Sequence, residues 1–375
     1  MRENFDPKNI KITPETFTKV KQMFRQNKCF YPGCENKAIR AHSIQEAGPL
    51  QTISGNINIQ ESQVYSIEDD FEFDAATGAK ISKQKVEKKL HSCSISTAST
   101  FTGFCIEHDA LFHPIDNNSY DGSKFQNFLY AYRTFAYSQH KYYEMLKASE
   151  GMQDMRNDLA GSMETLTDTI KGFESMQLPF DIKSLGLSNL TGNLAELYSG
   201  TIEKLDKVVN TALLGLALEK DRFDHAVENK TYSSFQYYAR SIDGVYPITS
   251  SCVIPFLDTM VIPSSDGVVY SPNYALNILP EKQTGKTHII FGVFPENPNV
   301  QLFYSKLNVK SDTELLKFIS DILIRWGQNT YFSPNYWNTL SNDEKNAIIE
   351  ARNNKEKNED FGIMQHKFNL FGAHS

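Results

Sequence analysis

Cysteine is scarce: the chain has five in 375 residues, an odd number and too few for a disulfide framework. No charged start leads into an apolar run, so no signal peptide is expected. The longest apolar patch, ALLGLAL at 212–218, is too short to span a bilayer, and no membrane partner is expected. A reducing, cytoplasmic setting is the simplest expectation, and there cysteines beside histidines point to metal rather than disulfides. An internal repeat is lacking, and so is a glycine-rich phosphate loop, since GKT at 285–287 has no upstream P-loop glycine. Positive charge is not in excess either. The net charge is −7, which argues against a protein that coats DNA.

That charge is unevenly placed. Residues 1–50 carry nine Lys/Arg against five Asp/Glu, 51–79 carry six acids and no base, and 80–90 carry five Lys and one Glu. From 151 onward there are 20 bases and 27 acids, which is the whole of the net charge. The first third is therefore neutral with two basic patches, and the acidic remainder is a poor match for a phosphate backbone.

Aromatics are plentiful, at 12% of the chain, and support a sizeable core. Residues 14–27 read as a short helix, and 50–75 as a small β-meander with INIQ, VYSI and FEFD as its strands. Residues 81–91 read as a helix or a long hairpin arm. Residues 124–148 lack Pro and Gly and place Phe125, Phe128, Leu129, Tyr132, Phe135 and Ala136 at helical spacing, the pattern of a buried scaffold helix. Residues 149–228 read as predominantly helical, with a long helix over 193–230. From 231 short β-rich runs take over: ARSIDGVYPI, SCVIPFL, TMVIPSS, GVVYSPN, HIIFGVF and QLFYSKL. A helix at 311–326 follows, with Ser311 and Glu314 at capping-box spacing, then another over 341–353. The expected class is α+β, with an antiparallel sheet and packed helices at the C-terminal end. The expected domains are 1–122, 123–230 as a helical scaffold, 231–355, and a flexible tail at 356–375.

Two stretches carry chemistry. GFCIEHDALFHPID at 103–116 holds Cys105, His108, Asp109, His113 and Asp116, and KCFYPGCENKAIRAHSI at 28–44 holds Cys29, Cys34 and His42. A thiol and an imidazole three apart at a helix start can point at one ion. Cys29, Cys34, Cys105 and His108 supply a Cys3His set for a tetrahedral structural zinc. His91 and Cys93 form a competing pair, His42 could replace one ligand, and the thiols could also be buried and unliganded. Cys252, in SCVIPF, reads as core. Asp109 could cap its helix, and His113 and Asp116, flanking Pro114, could be turn residues.

The two stretches together resemble the treble-clef module of the HNH, or His-Me finger, nucleases. The resemblance covers about residues 25–120. Cys29 and Cys34 match the family's knuckle, His42 in AHSI its strand histidine, and Cys105 with His108 the pair that opens the helix. It implies a ββα module in which His42 is the general base against a phosphodiester. Asp109 and His113 would hold a catalytic Mg2+ or Mn2+. The knuckle has four residues between its cysteines where the family usually has two, and Asp109 stands where the family usually has histidine. Asn56 and Asn58 are the candidates for the asparagine that orients the base. The expectation is a metal-dependent endonuclease that meets nucleic acid through its N-terminal module. Its other regions would sense or regulate, with defence against foreign nucleic acid as the setting that analogy suggests, and with a protein partner or second copy on the helical region. The alternative is a catalytically inactive, zinc-stabilised binding or scaffold protein.

Overall fold

The computed structural model describes residues 11–12, 28–55, 63–66, 73–74, 91–144, 216, 220–255, 262–263, 269–270, 273–294, 299–353 and 369–372. The expected helix at 14–27, the 81–91 segment, Asn56, Asn58, nearly all of 149–219 and most of the tail lie outside these residues. The chain divides into two compact units. One comprises Met1–Gln26, Asp70–Glu87 and Tyr142–Leu213, and the other Asn27–Asp69, Lys88–Lys141 and Leu214–Ser375. In the first, the described strands are Lys11–Ile12 and Phe73–Asp74, paired antiparallel.

The strands of the second unit are β1 (Arg40–His42), β2 (Gln63–Ser66), β3 (His91–Ser94), β4 (Thr100–Thr102), β5 (Gln236–Asp243), β6 (Ile248–Pro255), β7 (Asn273–Glu281), β8 (Lys286–Val293) and β9 (Thr330–Phe332). Ile262–Pro263 and Val269–Tyr270 form a further small antiparallel pair. Seven strands make an antiparallel sheet in the order β3-β2-β9-β6-β7-β8-β5. The class is therefore α+β with an antiparallel sheet. Val64–Ser66, the described part of VYSI, lies in β2 as its alternation suggests, and its partners are β3 and β9. GKT sits at the β7–β8 hairpin, where Gly285 takes φ +68° and turns the chain.

Both faces of the central strands are buried, because helices cover each side. On one side Val300, Phe303, Tyr304 and Leu307 of α3 (Asn299–Asn308) and Leu315, Leu316, Ile319, Ile322 and Leu323 of α4 (Asp312–Trp326) share a core with Tyr274, Leu276, Ile289 and Phe291. QLFYSKL is thus helix, where its β-rich composition suggests a strand. Its buried residues recur three and four apart, and that helical stripe faces the sheet. On the other side lies α1, helical over 124–144, with Phe128, Leu129, Tyr132, Phe135 and Ala136 buried. The Ser123 hydroxyl caps it by accepting from the Gln126 amide at 3.2 Å. Gly292 lets this helix approach: a Cβ there would come within 2.8 Å of both Ala131 Cβ and Phe235 Cζ. A helix described over 220–229, α2, sets Phe223 against Phe128, Tyr132 and Phe135. Pro334–Thr339 and Asn342–Asn353 form α5 and α6, and shorter helical segments lie at Glu46–Leu50 and Gln51–Ser54. No helix among the described residues is long and apolar enough to cross a membrane.

The capping box at α4 is formed: Glu314 N–H donates to Ser311 Oγ at 3.3 Å, and Ser311 N–H donates to the Glu314 carboxylate at 2.8 Å. Ser311→Ala is expected to lower stability by about 1 kcal/mol, read from the denaturant midpoint with unchanged slope.

Candidate metal centre

The second unit folds the two chemistry-bearing stretches against each other. In YPGC, Pro32 occupies the second turn position and Gly33, at φ +67°, the third. The Cys34 amide closes the turn on the Tyr31 carbonyl at 3.1 Å. The Cys29 amide donates to Asn36 O at 3.0 Å, and Phe30 and Ile39 amides donate to the carbonyls of Gly103 and Phe104 at 2.6 and 2.8 Å. β1 then pairs with β4, placing Ala41 opposite Phe101 and His42 opposite Thr100. Immediately after β4 come three short helical turns, Ile106–Asp109, Ala110–Phe112 and His113–Asp116. Cys105 stands at the entry of the first. Pro114 does not stop the run, because it falls in the first turn of its last segment, where no N–H is needed.

These pairings gather Cys29, Cys34, Cys105 and His108. Their four ligand atoms lie within 4.8 Å of one another. Cys34 Sγ and Cys105 Sγ are 3.8 Å apart, Cys29 Sγ and His108 Nδ1 3.5 Å, and Cys105 Sγ and His108 Nδ1 3.2 Å. Around a tetrahedral ion with bonds of about 2.3 Å to sulfur and about 2.0 Å to nitrogen, sulfurs stand roughly 3.8 Å apart and sulfur and nitrogen roughly 3.5 Å. The first two separations match those edges, and the third is slightly tighter, within one turn. The group can therefore hold a metal ion. The Cys105 amide donates to Cys29 Sγ at 3.3 Å, and Tyr31 stacks on the His108 ring at 3.8 Å between centroids. Such outer contacts fix ligand orientation.

Without an ion, burial pushes the Cys29 thiol up to about 11. Desolvation acts the same way on Cys105, but the His108 and Glu107 amides and the neighbouring thiols outweigh it and hold Cys105 below its ordinary value. Cys93 lies on β3 and Cys252 is buried in β6, and neither these nor His42 and His91 join the group. Behind the knuckle, Lys220 donates to the Phe30 carbonyl at 2.7 Å and to both Asp224 oxygens, while Tyr132 donates to Asp224 at 2.6 Å. This buried network ties α1 and α2 to the cysteine turn.

Of the remaining candidates, His42, His113 and Asp116 lie within electrostatic reach of Asp109. His42 Nε2 lies 3.1 Å from the Ile95 carbonyl and 3.6 Å from Glu46 Oε2. A carbonyl only accepts, so Nε2 carries the proton and a neutral ring keeps its lone pair on Nδ1. Burial lowers the His42 pKa, which favours that neutral form. The loop after it is pinned by a buried polar network: Ser43 Oγ donates to Ser251, Asn329 donates to Ser43 at 2.9 Å, and Thr134 meets Ser251 at 2.8 Å.

Burial raises Asp109, which lies within electrostatic reach of Arg133, Asp116, His113 and His42. Its Oδ1 is buried with no hydrogen-bond partner among the described residues. His113 is exposed. Asp116 is held by Arg133 through two bonds of 2.7 and 2.6 Å, while Gln45 donates to the Asp116 backbone carbonyl. Comparison with known protein families, with curated proteins and with solved structures finds no match. What the site does must therefore be argued from its geometry.

Arg133, Gln45 and the Ile95 carbonyl are not legible as site residues from spacing, since each arrives from a different element. Arg133 hides within the aromatic stripe of α1. A hidden signal exists there: a guanidinium on the buried face of a helix requires a carboxylate partner.

Proposed function

We propose that the chain is a metal-dependent nuclease of the HNH type, with Cys29, Cys34, Cys105 and His108 holding a structural zinc. The order of knuckle, β1–β4 hairpin and helical turns supports the ββα reading, with the residues between β1 and β4 as a long insertion. The observation that carries the catalytic reading is an oriented, neutral His42 within electrostatic reach of Asp109, whose Oδ1 is buried with no hydrogen-bond partner among the described residues. A buried carboxylate oxygen without a donor suits a cation. Asp109 and His113, four apart, would hold a divalent ion such as Mg2+ or Mn2+, which supplies charge stabilisation to the phosphate and the leaving oxygen.

His42 does the proton chemistry. Its Nδ1 accepts a proton from water as the water oxygen bonds to phosphorus. The opposite P–O bond breaks and the leaving oxygen is protonated from solvent. The Ile95 carbonyl holds the ring at Nε2 so that Nδ1 faces the reaction. The zinc serves only to lock the knuckle to the first helical turn.

The test is plasmid nicking with Mg2+ or Mn2+. His42→Ala is expected to lower the rate about 10²- to 10⁴-fold with zinc content unchanged. Activity surviving His42→Ala removes it as base. Absence of nicking by the wild type under every metal condition favours the alternative, a zinc-stabilised scaffold. The two clamps on Asp116, which withhold it from any ion, are the feature that speaks for that alternative.

A further inference from the structure

A cavity of about 830 Å³ opens beside the His42–Asp109 site, built partly from the same two segments. One wall is Gln45 to Thr52, which follows His42 directly, and another is Asp116 to Tyr120, which follows His113. The third is the β7–β8 hairpin, with Glu281, Gln283 and His288. A volume of this order accommodates a small-molecule-sized group.

The charges on its walls are largely spent within the protein. Asp116 is paired with Arg133. Glu281 accepts from Thr284 at 2.7 Å and lies 3.3 Å from His288 Nε2. The other ring nitrogen of His288, Nδ1, faces Ser241 Oγ at 2.8 Å, and burial lowers its pKa, so the ring is neutral and fixed. Lys282 is the single cationic side chain among the described residues that line the space. A phosphate is therefore a poor occupant of the interior. What the walls do offer is aromatic rings and amides. Tyr120 packs on His288 at 4.5 Å between centroids with its hydroxyl held by Asn127, and Tyr130 lines the cavity beside it. Gln45, Asn117 and Gln283 supply amide groups. The Gln45 side chain lies so close to Gly48 that a Cβ there would collide with it. Flat rings with fixed amides, and little charge, match an unstacked nucleobase, which stacks by its face and hydrogen-bonds by its edge.

We propose that this cavity is a nucleobase pocket, which takes one unstacked base of a single-stranded or locally opened nucleic acid whose backbone crosses His42 and Asp109. The crossing rests on the nuclease reading; the pocket does not.

The test is fluorescence-anisotropy binding of a labelled single-stranded oligonucleotide and of its duplex, with EDTA present to prevent hydrolysis. The full chain is compared with Thr52→Trp, which fills the cavity, and Gln45→Ala, which removes one amide. Unchanged far-ultraviolet circular dichroism and Tm confirm that each variant is folded. The single strand is expected to bind about tenfold or more tighter than the duplex. Both variants should weaken single-strand binding by about tenfold or more and leave duplex binding unchanged. Single-strand binding unaffected by both variants overturns the proposal, as does equal binding of duplex and single strand. A nucleoside monophosphate that binds as tightly as the oligonucleotide makes the ligand a free nucleotide and overturns the strand assignment. His42→Ala separates the two readings. Nicking lost with His42 but binding indifferent to the cavity sinks the pocket alone. Binding sensitive to the cavity with no nicking by any form sinks the nuclease alone.

Discussion

Cys105→Ser is expected to reduce bound zinc from about one per chain to less than a tenth, measured by elemental analysis after dialysis. Cys105 is the member of the group with most to lose. Its sulfur faces Cys34 at 3.8 Å and His108 at 3.2 Å, and its amide supports Cys29. A serine hydroxyl is a poor ligand at neutral pH, and three remaining ligands leave the site open. Because the ion binds only the folded arrangement, its loss removes RT ln(1 + [L]/Kd) of stability, about 4 kcal/mol where free metal stands a thousandfold above Kd. The sheet should survive, because its core is built from β5 to β9 and α3 to α4, none of which supplies a ligand. The expected signature is a lowered Tm with far-ultraviolet circular dichroism largely retained. Cys93→Ser is the control: its sulfur stands on β3, outside the group, and metal content should not change. A Cys105→Ser protein that binds as much zinc as the wild type would show that these four residues do not form the site.

The metal group was legible because its geometry is local twice over. A turn brings Cys29 near Cys34, and one helical turn brings Cys105 near His108, so only the joining of two halves had to be supplied by the fold. The helices with wide apolar stripes, α1 and α4, were legible for the same reason, as was the Ser311 cap. Strand partnership was not. QVYS at 63–66 lies in an alternating run, yet nothing in its pattern selects β9, more than 260 residues later, as its second partner beside the nearer β3. QLFYSKL misleads because its β-rich composition masks the helical spacing of Val300, Phe303, Tyr304 and Leu307, which set the buried face. The cavity was the least legible feature. Glu281 and His288 face each other only once the β7–β8 hairpin fixes its register, with Glu281 opposite Lys286 and Leu279 opposite His288. The sequence shows them as one charge and one ring in unrelated company.

Asp116→Ala is expected to destabilise the chain by about 3 kcal/mol, although Asp116 itself is partly exposed. The reason lies in its partner. The Arg133 side chain is only 4% exposed and Asp116 26%, so removing the carboxylate strands a guanidinium that water barely reaches. Phe112 lies under that guanidinium at 4.3 Å, which helps the stem and the ring to pack but does not replace two charge-assisted hydrogen bonds. Arg133→Met removes the buried charge and keeps most of the apolar stem. It leaves Asp116 with water on one side, so it should cost less than Asp116→Ala. The double variant Asp116→Ala/Arg133→Met should then recover stability relative to Asp116→Ala alone. The coupling is expected to exceed about 1 kcal/mol in a double-mutant cycle from urea unfolding. Additive effects would mean that the pair does not act as a unit. The same variants bear on the candidate site, since Arg133 is the largest charge acting on Asp109. With Arg133 replaced, Asp109 loses the cation that favours its ionised form, and Asp116 is released from its clamp. If Asp109 contributes to a divalent-ion site, Arg133→Met should change Mn2+ affinity measured by calorimetry on the zinc-loaded protein, while His42→Ala leaves it nearly as it was. Identical Mn2+ affinity in Arg133→Met and Asp109→Asn proteins and in the wild type would remove Asp109 from the metal chemistry and leave Arg133–Asp116 as a purely structural clamp.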